Sequence, residues 1–157
     1  MSNHDISEDI YSRLADALEA LPNGFARTPS GMELRLMALA FTPEEAWLAS
    51  HLTRKYETVA EIANRVDLDE AKVKETLDRL VPKRLTVMDN AGRQAHNASS
   101  QIKGENKYRL GQFLVGWYEA NMRRLDTKEF AELYEQFVIE GGQENGSYWA
   151  TTAVRCP

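Results

Sequence analysis

Apolar residues recur at spacings of three and four along most of this chain. Ile10, Leu14, Leu18 and Leu21 form one stripe with Ala17 beside it, and Pro22-Asn23-Gly24 closes it with residues that favour a turn and a left-handed cap. A first helix is predicted from about 6 to 21. Thr28-Pro29 offers a cap followed by a proline at the first helical position, ahead of Met32, Leu34, Leu36, Met37, Leu39 and Phe41. That segment predicts a second, almost wholly apolar helix at the centre of the core. Thr42-Pro43-Glu44-Glu45 joins a proline at the first position to a capping box, predicting a third helix over 43–54.

Residues 58–81 hold the most informative spacing. Thr58 and Glu61 form a second capping box, and Val59, Ile62, Ala63 and Val66 share one face. The pattern breaks at Asp67-Leu68-Asp69, where Asp67 tolerates a left-handed backbone and Asp69 can cap the next helix. That helix, over 70–81, buries Val73, Leu77, Leu80 and Val81. A short helix, a tight turn with an apolar residue inside it, and a longer helix make a helix-turn-helix pattern. Leu85 to Met88 and Lys107 to Leu110 read as two strands around a polar tip, Asp89 to Asn106, and together predict a wing over 85–110. At 18 residues that tip exceeds ordinary hairpin loops, so mobility is expected in it.

Two helices are predicted to close the domain over 115–141. Val115 to Arg124 is the first. The second starts after Asp126 or Thr127 and spaces Phe130, Leu133, Tyr134, Phe137 and Val138 along one face, with Glu129, Glu132, Glu135 and Glu140 on the other. Gly141-Gly142 is expected to end it as a cap and turn. Residues 143–157 have no helical period and read as a tail or linker, with a candidate strand at 148–154. The fold expected is mainly α with a small β-wing: a winged helix-turn-helix with extra N- and C-terminal helices, spanning 1–142.

Composition narrows the chemistry. The single cysteine, Cys156, allows neither a disulfide framework nor a thiolate metal site within the chain, and a reducing, cytoplasmic setting is the default. His4, His51 and His96 are too far apart in sequence to suggest ligand spacing. No apolar run reaches the roughly 18 residues that a membrane span needs. Of the net charge of −5, residues 1–57 carry −4 and 111–157 carry −3, whereas 58–110 carry +2. A local excess that small permits nucleic-acid binding without requiring it. Phosphate loops, nucleophile elbows and acid–base pairs are absent from the sequence. Glu44-Glu45 fits the first-turn preference for acids, and His51 suits the end of a helix as a cap. The chain is therefore expected not to be an enzyme.

Leu21-Pro22-Asn23-Gly24-Phe25, Thr28 to Leu36 (Thr-Pro-Ser-Gly-Met-Glu-Leu-Arg-Leu) and Phe41 to Ala46 (Phe-Thr-Pro-Glu-Glu-Ala) carry a resemblance. They are similar to the opening of anaerobe ferredoxin-type proteins, in which a winged-helix-like domain precedes a cysteine-rich part carrying two 4Fe-4S clusters. The likeness continues through the turn motif, the Lys107 to Leu110 strand, Phe113 to Tyr118 and the acidic aromatic helix. It implies a regulatory or docking module whose partner is another protein or an adjacent cysteine-rich domain. Any clusters would belong to a continuation past Pro157, with no cofactor held in these residues. The family's cluster cysteines are missing here.

The second reading is a DNA-binding regulator. Glu70, Lys72, Lys74, Glu75, Asp78 and Arg79 would then be the exposed positions of the helix at 70–81, three acids against three bases. The wing is better placed, with Lys83, Arg84, Arg93, Lys103, Lys107 and Arg109 against Asp89 and Glu105. Weak binding carried mainly by Arg93, Lys103 and Lys107 is expected if it occurs. Seven of the fourteen aromatic residues lie within 117–149, and Trp117, Tyr118, Tyr134 and Phe137 are expected to form a homodimer interface. The competing expectation is that these rings complete the core against the first helix.

Overall fold

The structure is a computed structural model and describes residues 3–22, 24–89, 105–112 and 127–144. Helix α1 (Asn3–Glu19) begins and ends earlier than the expected 6–21; of the expected stripe Leu14 and Leu18 are buried on it and Leu21 just after it, Ile10 and Ala17 are half-buried, and Tyr11 and Ala15 complete the buried face. The chain then turns through Gly24, whose φ of 65° few other residues tolerate. Helix α2 (Met32–Ala40) starts three residues later than Thr28-Pro29 suggests, after a turn closed by Gly31 N–H donating to the Thr28 carbonyl at 3.1 Å. Gly31 at φ 68° is the N-cap. Thr28 still serves the helix from a distance. Its hydroxyl accepts from Met32 N–H at 2.9 Å, while Glu33 reaches back to accept from Thr28 N–H at 3.1 Å. Glu33 is 1% exposed, with the Arg27 guanidinium 3.4 Å away.

Helix α3 (Pro43–Ser50) has the expected capping box: Thr42 N–H donates to Glu45 at 2.9 Å and Glu45 N–H to the Thr42 hydroxyl at 3.3 Å. It ends before residue 54, at His51. There the backbone N–H tightens onto the Leu48 carbonyl, and the ring Nδ1 lies 2.8 Å from the Trp47 carbonyl. A two-residue strand, β1 (Glu57–Thr58), comes next; nothing in the sequence pattern announces so short an element. Helix α4 (Val59–Val66) opens on the Thr58–Glu61 capping box and ends at Asp67, in the left-handed region at φ 53°, ψ 48°. Asp69 accepts from the Ala71 and Lys72 amides and starts helix α5 (Glu70–Leu80). Val73, Thr76, Leu77 and Leu80 are buried, and Val81 is only half-buried.

Strand β2 (Thr86–Asp89) runs one residue later than expected, and β3 (Lys107–Leu110) lies where expected. The three strands form an antiparallel sheet in the order β1-β3-β2, with Thr86 opposite Leu110, Met88 opposite Tyr108, and Thr58 opposite Lys107. Tyr108 and Leu110 point inward and are fully buried. Beyond β3, Gly111 N–H donates to the Leu85 carbonyl at 2.8 Å. A Cβ on Gly111 would stand 2.7 Å from the Arg84 carbonyl oxygen, so the backbone itself requires glycine there.

The last described helix, α6 (Lys128–Glu144), packs against α2. Gly141-Gly142 does not end it. Gly141 is buried inside the helix, and a Cβ on it would stand 2.9 Å from that of Ala26, so the glycine serves close packing instead of a cap. Phe137 stacks on Phe25 with ring centroids 5.7 Å apart, and Phe130 and Leu133 are buried beside them. The helix expected over 115–124 and the candidate strand at 148–154 lie outside the described residues. The described portion is thus mainly helical, with a small three-stranded antiparallel sheet.

One ion pair sits inside this packing. Glu45 is 2% exposed and lies 2.5 Å from the ammonium of Lys83. Lys83 also donates to the Ala40 carbonyl at 3.1 Å and stands over the Phe41 ring. The expectation that Lys83 is a solvated wing cation is therefore corrected: the charge is turned inward to neutralise a buried acid. Removing only the cation leaves a buried carboxylate short of a partner. Lys83→Met should therefore lower unfolding stability by about 3 kcal/mol, whereas Arg35→Met, on the exposed side of α2, should change it by less than about 0.5 kcal/mol. Urea unfolding of both variants provides the measurement.

Candidate functional site

The exposed face of α5 is the first candidate, because the sequence pattern makes it the helix that would read DNA. Glu70, Lys72, Lys74, Glu75, Asp78 and Arg79 are all exposed, as expected. Each of its three cations faces an acid. The Lys74 ammonium lies 2.5 Å from Asp78. Arg79 lies 2.9 Å from Glu75 one turn back, 3.2 Å from Glu44 on α3 and 3.7 Å from the buried Glu45. Lys72 lies 3.6 Å from the same Glu44. The hydrogen bond that the Lys74 ammonium donates to Asp78 holds it above the usual lysine range. Tyr108 reaches the same corner from β3, its hydroxyl 3.5 Å from Asp78, and burial pushes that hydroxyl above the usual tyrosine range. The sequence pattern gives Glu44 a role only in α3; here it also binds two cations of α5.

The wing cations divide differently. Lys107 is exposed, and Arg109 is half-buried with its guanidinium 5.2 Å from the centre of the Tyr56 ring. Arg84 is exposed and holds a left-handed backbone at φ 61°. Arg93 and Lys103 lie outside the described residues.

Of the expected interface residues, Trp117 and Tyr118 lie outside the described residues. Tyr134 is half-buried against the core. Phe137 is 3% exposed and stacked on Phe25, so its ring is core and not available surface, a correction to its expected interface role. The helix that carries Tyr134 and Phe137 packs against α2, and both rings belong to the core that also holds Tyr11, Leu14 and Leu18 of α1.

Ser50 Oγ lies 3.3 Å from Nδ1 of the neighbouring His51, and that ring nitrogen also lies 2.8 Å from the Trp47 carbonyl. The Ser50 hydroxyl, adjacent to His51, donates to the Trp47 carbonyl at 2.8 Å, which satisfies it locally. Among the described residues no three His, Cys, Asp or Glu side chains are grouped to hold a metal, and no helix is long and apolar enough to cross a membrane.

A second cluster is not anticipated from sequence: Arg54, Lys55 and Tyr56, all exposed, in the loop before β1. The loop is braced by Thr53, whose hydroxyl donates to Glu57 at 2.7 Å and accepts from Lys55 N–H at 3.1 Å. The Thr53 carbonyl accepts from Leu110 N–H at 2.9 Å, tying the loop to β3. Glu57, besides accepting from Thr53, grips Arg65 with both carboxylate oxygens. A threonine able to form a side-chain turn two residues ahead of Lys55 is the only sequence signal for it.

The chain matches no family model, no curated protein and no solved structure.

The Arg65 hydrogen bond holds the Glu57 carboxyl below the usual carboxylate range, with partial burial opposing it and Thr53 assisting. A carboxyl whose folded value is lowered contributes stability above the ordinary value, roughly 4.3, and loses that contribution as pH falls through the folded value. Stability should thus fall on acidification below about pH 5. Glu57→Gln should flatten that acid limb and cost about 0.5–1 kcal/mol at neutral pH, the scale of a solvent-screened pair. Urea unfolding across a pH series gives both quantities.

Proposed function

We propose that the chain is a non-catalytic docking or regulatory module built on a winged helix, resembling the N-terminal part of ferredoxin-type electron-transfer proteins. The order β1-α4-α5-β2-β3, with β3 between the other strands, supports the winged-helix reading. The functional reading rests on one observation: the cations of α5 are all engaged by acids, two of them by Glu44 from another helix. A helix that reads the major groove needs donors and positive charge free to meet phosphates and base edges. Here each phosphate contact would compete with an existing carboxylate. A protein partner has no such requirement, since it presents no row of phosphates that free cations must meet.

The 4Fe-4S clusters of the resembled family do not fit the residues present, since a cluster needs about four thiolates and the chain has one cysteine. The module would act on a redox protein from outside its cluster site, by binding and orienting.

Fluorescence anisotropy with mixed-sequence duplex DNA tests the reading. Binding weaker than about 10 µM in 0.15 M salt is expected, the range of non-specific association, with little change in Lys72→Ala/Lys74→Ala. Tight, sequence-dependent binding that this double variant abolishes would establish the DNA-binding regulator instead.

A further inference from the structure

The cluster before β1 differs from the α5 face in that no described acid pairs with its cations. Among the described residues, no acid lies within ion-pair distance of Arg54, Lys55 or Arg109. The acids nearest in sequence and register are committed or displaced. Glu57 is held by Arg65 and Thr53. Glu61 accepts from Thr58 N–H as part of its helix cap. Asp89 sits across the sheet opposite Lys107, at the far strand.

Tyr56 is 41% exposed, the one aromatic ring among the exposed large hydrophobic residues described. The Arg109 guanidinium over one ring face fixes its orientation, and the Thr53 hydrogen bonds fix the loop. Little further ordering is needed for a partner to bind, and ordering is a main cost of association. Tyrosine and arginine are among the residue types most enriched where binding energy concentrates in protein interfaces.

From this we infer that the surface formed by Arg54, Lys55, Tyr56 and Arg109 is the docking site, and that its occupant is an acidic segment of a protein partner. The inference rests on the docking reading above and adds its location and the chemistry of the partner. Carboxylates of the segment meet Arg54, Lys55 and Arg109, and an apolar side chain lies on the open part of the Tyr56 ring. Nucleic acid suits the site less well. A duplex presents a phosphate about every 1.7 Å of its axis and would face a chain of net charge −5 with an acidic face on α6. A short acidic segment meets only the local positive field.

The test uses the whole chain and a fluorescein-labelled peptide of glutamates broken by one phenylalanine, with its glutamine counterpart as control. The acidic peptide should bind and the glutamine peptide should not, with affinity falling as salt rises. Arg54→Ala/Lys55→Ala and Tyr56→Ala should each weaken binding by at least about tenfold. Lys72→Ala/Lys74→Ala should leave it unchanged. Circular dichroism confirms that each variant is folded, and the two exposed loop cations can be removed without disturbing the core. Absence of binding, or equal binding by wild type and the Arg54/Lys55 variant, overturns the inference. So does a duplex that displaces the peptide and depends on Arg54 and Lys55, or a self-associated species that this variant dissolves. None of these outcomes involves Lys72 or Lys74, so a failure here stays distinct from a failure of the docking reading, which would show as duplex binding lost with those two lysines.

Discussion

Burial of the Glu45 carboxylate is the constraint on which the packing of the helices against one another depends. Water would hold this charge far better than a protein interior, so folding requires every replacement to be in place at once. The Thr42 amide supplies one from the helix cap, Lys83 the second from the far end of the turn motif, and Arg79 a more distant third. Because Lys83 also donates to the Ala40 carbonyl at the end of α2, one ammonium joins α2, α3 and the segment after α5. Tyr11 brings in α1, donating to the Phe41 carbonyl at 2.7 Å. Burial chiefly, and the Glu45 charge secondarily, keep that hydroxyl protonated beyond the usual tyrosine range. Four helices thus meet at one acid, and a partial set of these contacts would leave the charge exposed to low dielectric without compensation. Such a network favours one arrangement of the elements over slipped alternatives.

The parts of this fold that are legible in sequence are those whose physics is local. Both capping boxes, the left-handed Asp67 and the Asp69 cap depend on residues within one turn of each other, and all lie where the spacing puts them. The alternation of Tyr108 and Leu110 on β3 is equally local. The features that sequence reasoning misses depend on partners far along the chain. Lys83 reads as a surface lysine until Glu45, 38 positions away, is placed beside it. Gly141 reads as a helix end until Ala26 is found against it. Strand β1 has two residues and no period of its own; β3 defines it. The α5 face is half legible for the same reason. Its pairs one turn apart, Lys74 with Asp78 and Glu75 with Arg79, follow from spacing, whereas the reach of Glu44 across to Lys72 and Arg79 does not.

Charge count and charge availability are therefore different quantities in this molecule. Counting places the positive excess in residues 58–110, where a nucleic-acid face would be sought first. Yet the cations of α5 are closed by acids, and Lys83 is consumed in the core. Among the described residues no acid pairs with Arg54 or Lys55, in a segment that is negative overall, and the neighbouring Glu57 is held by Arg65 and Thr53. Each exposed pair on α5 contributes little to stability, since solvent screens it. Its consequence is different: a ligand phosphate gains only the difference between itself and the carboxylate it displaces. A surface cation without a carboxylate in reach offers its whole field to an incoming acid, and nearby aromatic area adds an apolar contribution that salt does not screen. Selection between the two faces thus follows from where Glu44 and Glu57 direct their oxygens. Glu44 reaches two cations of α5, while Glu57 is taken up by Arg65 and Thr53 and pairs with neither Arg54 nor Lys55.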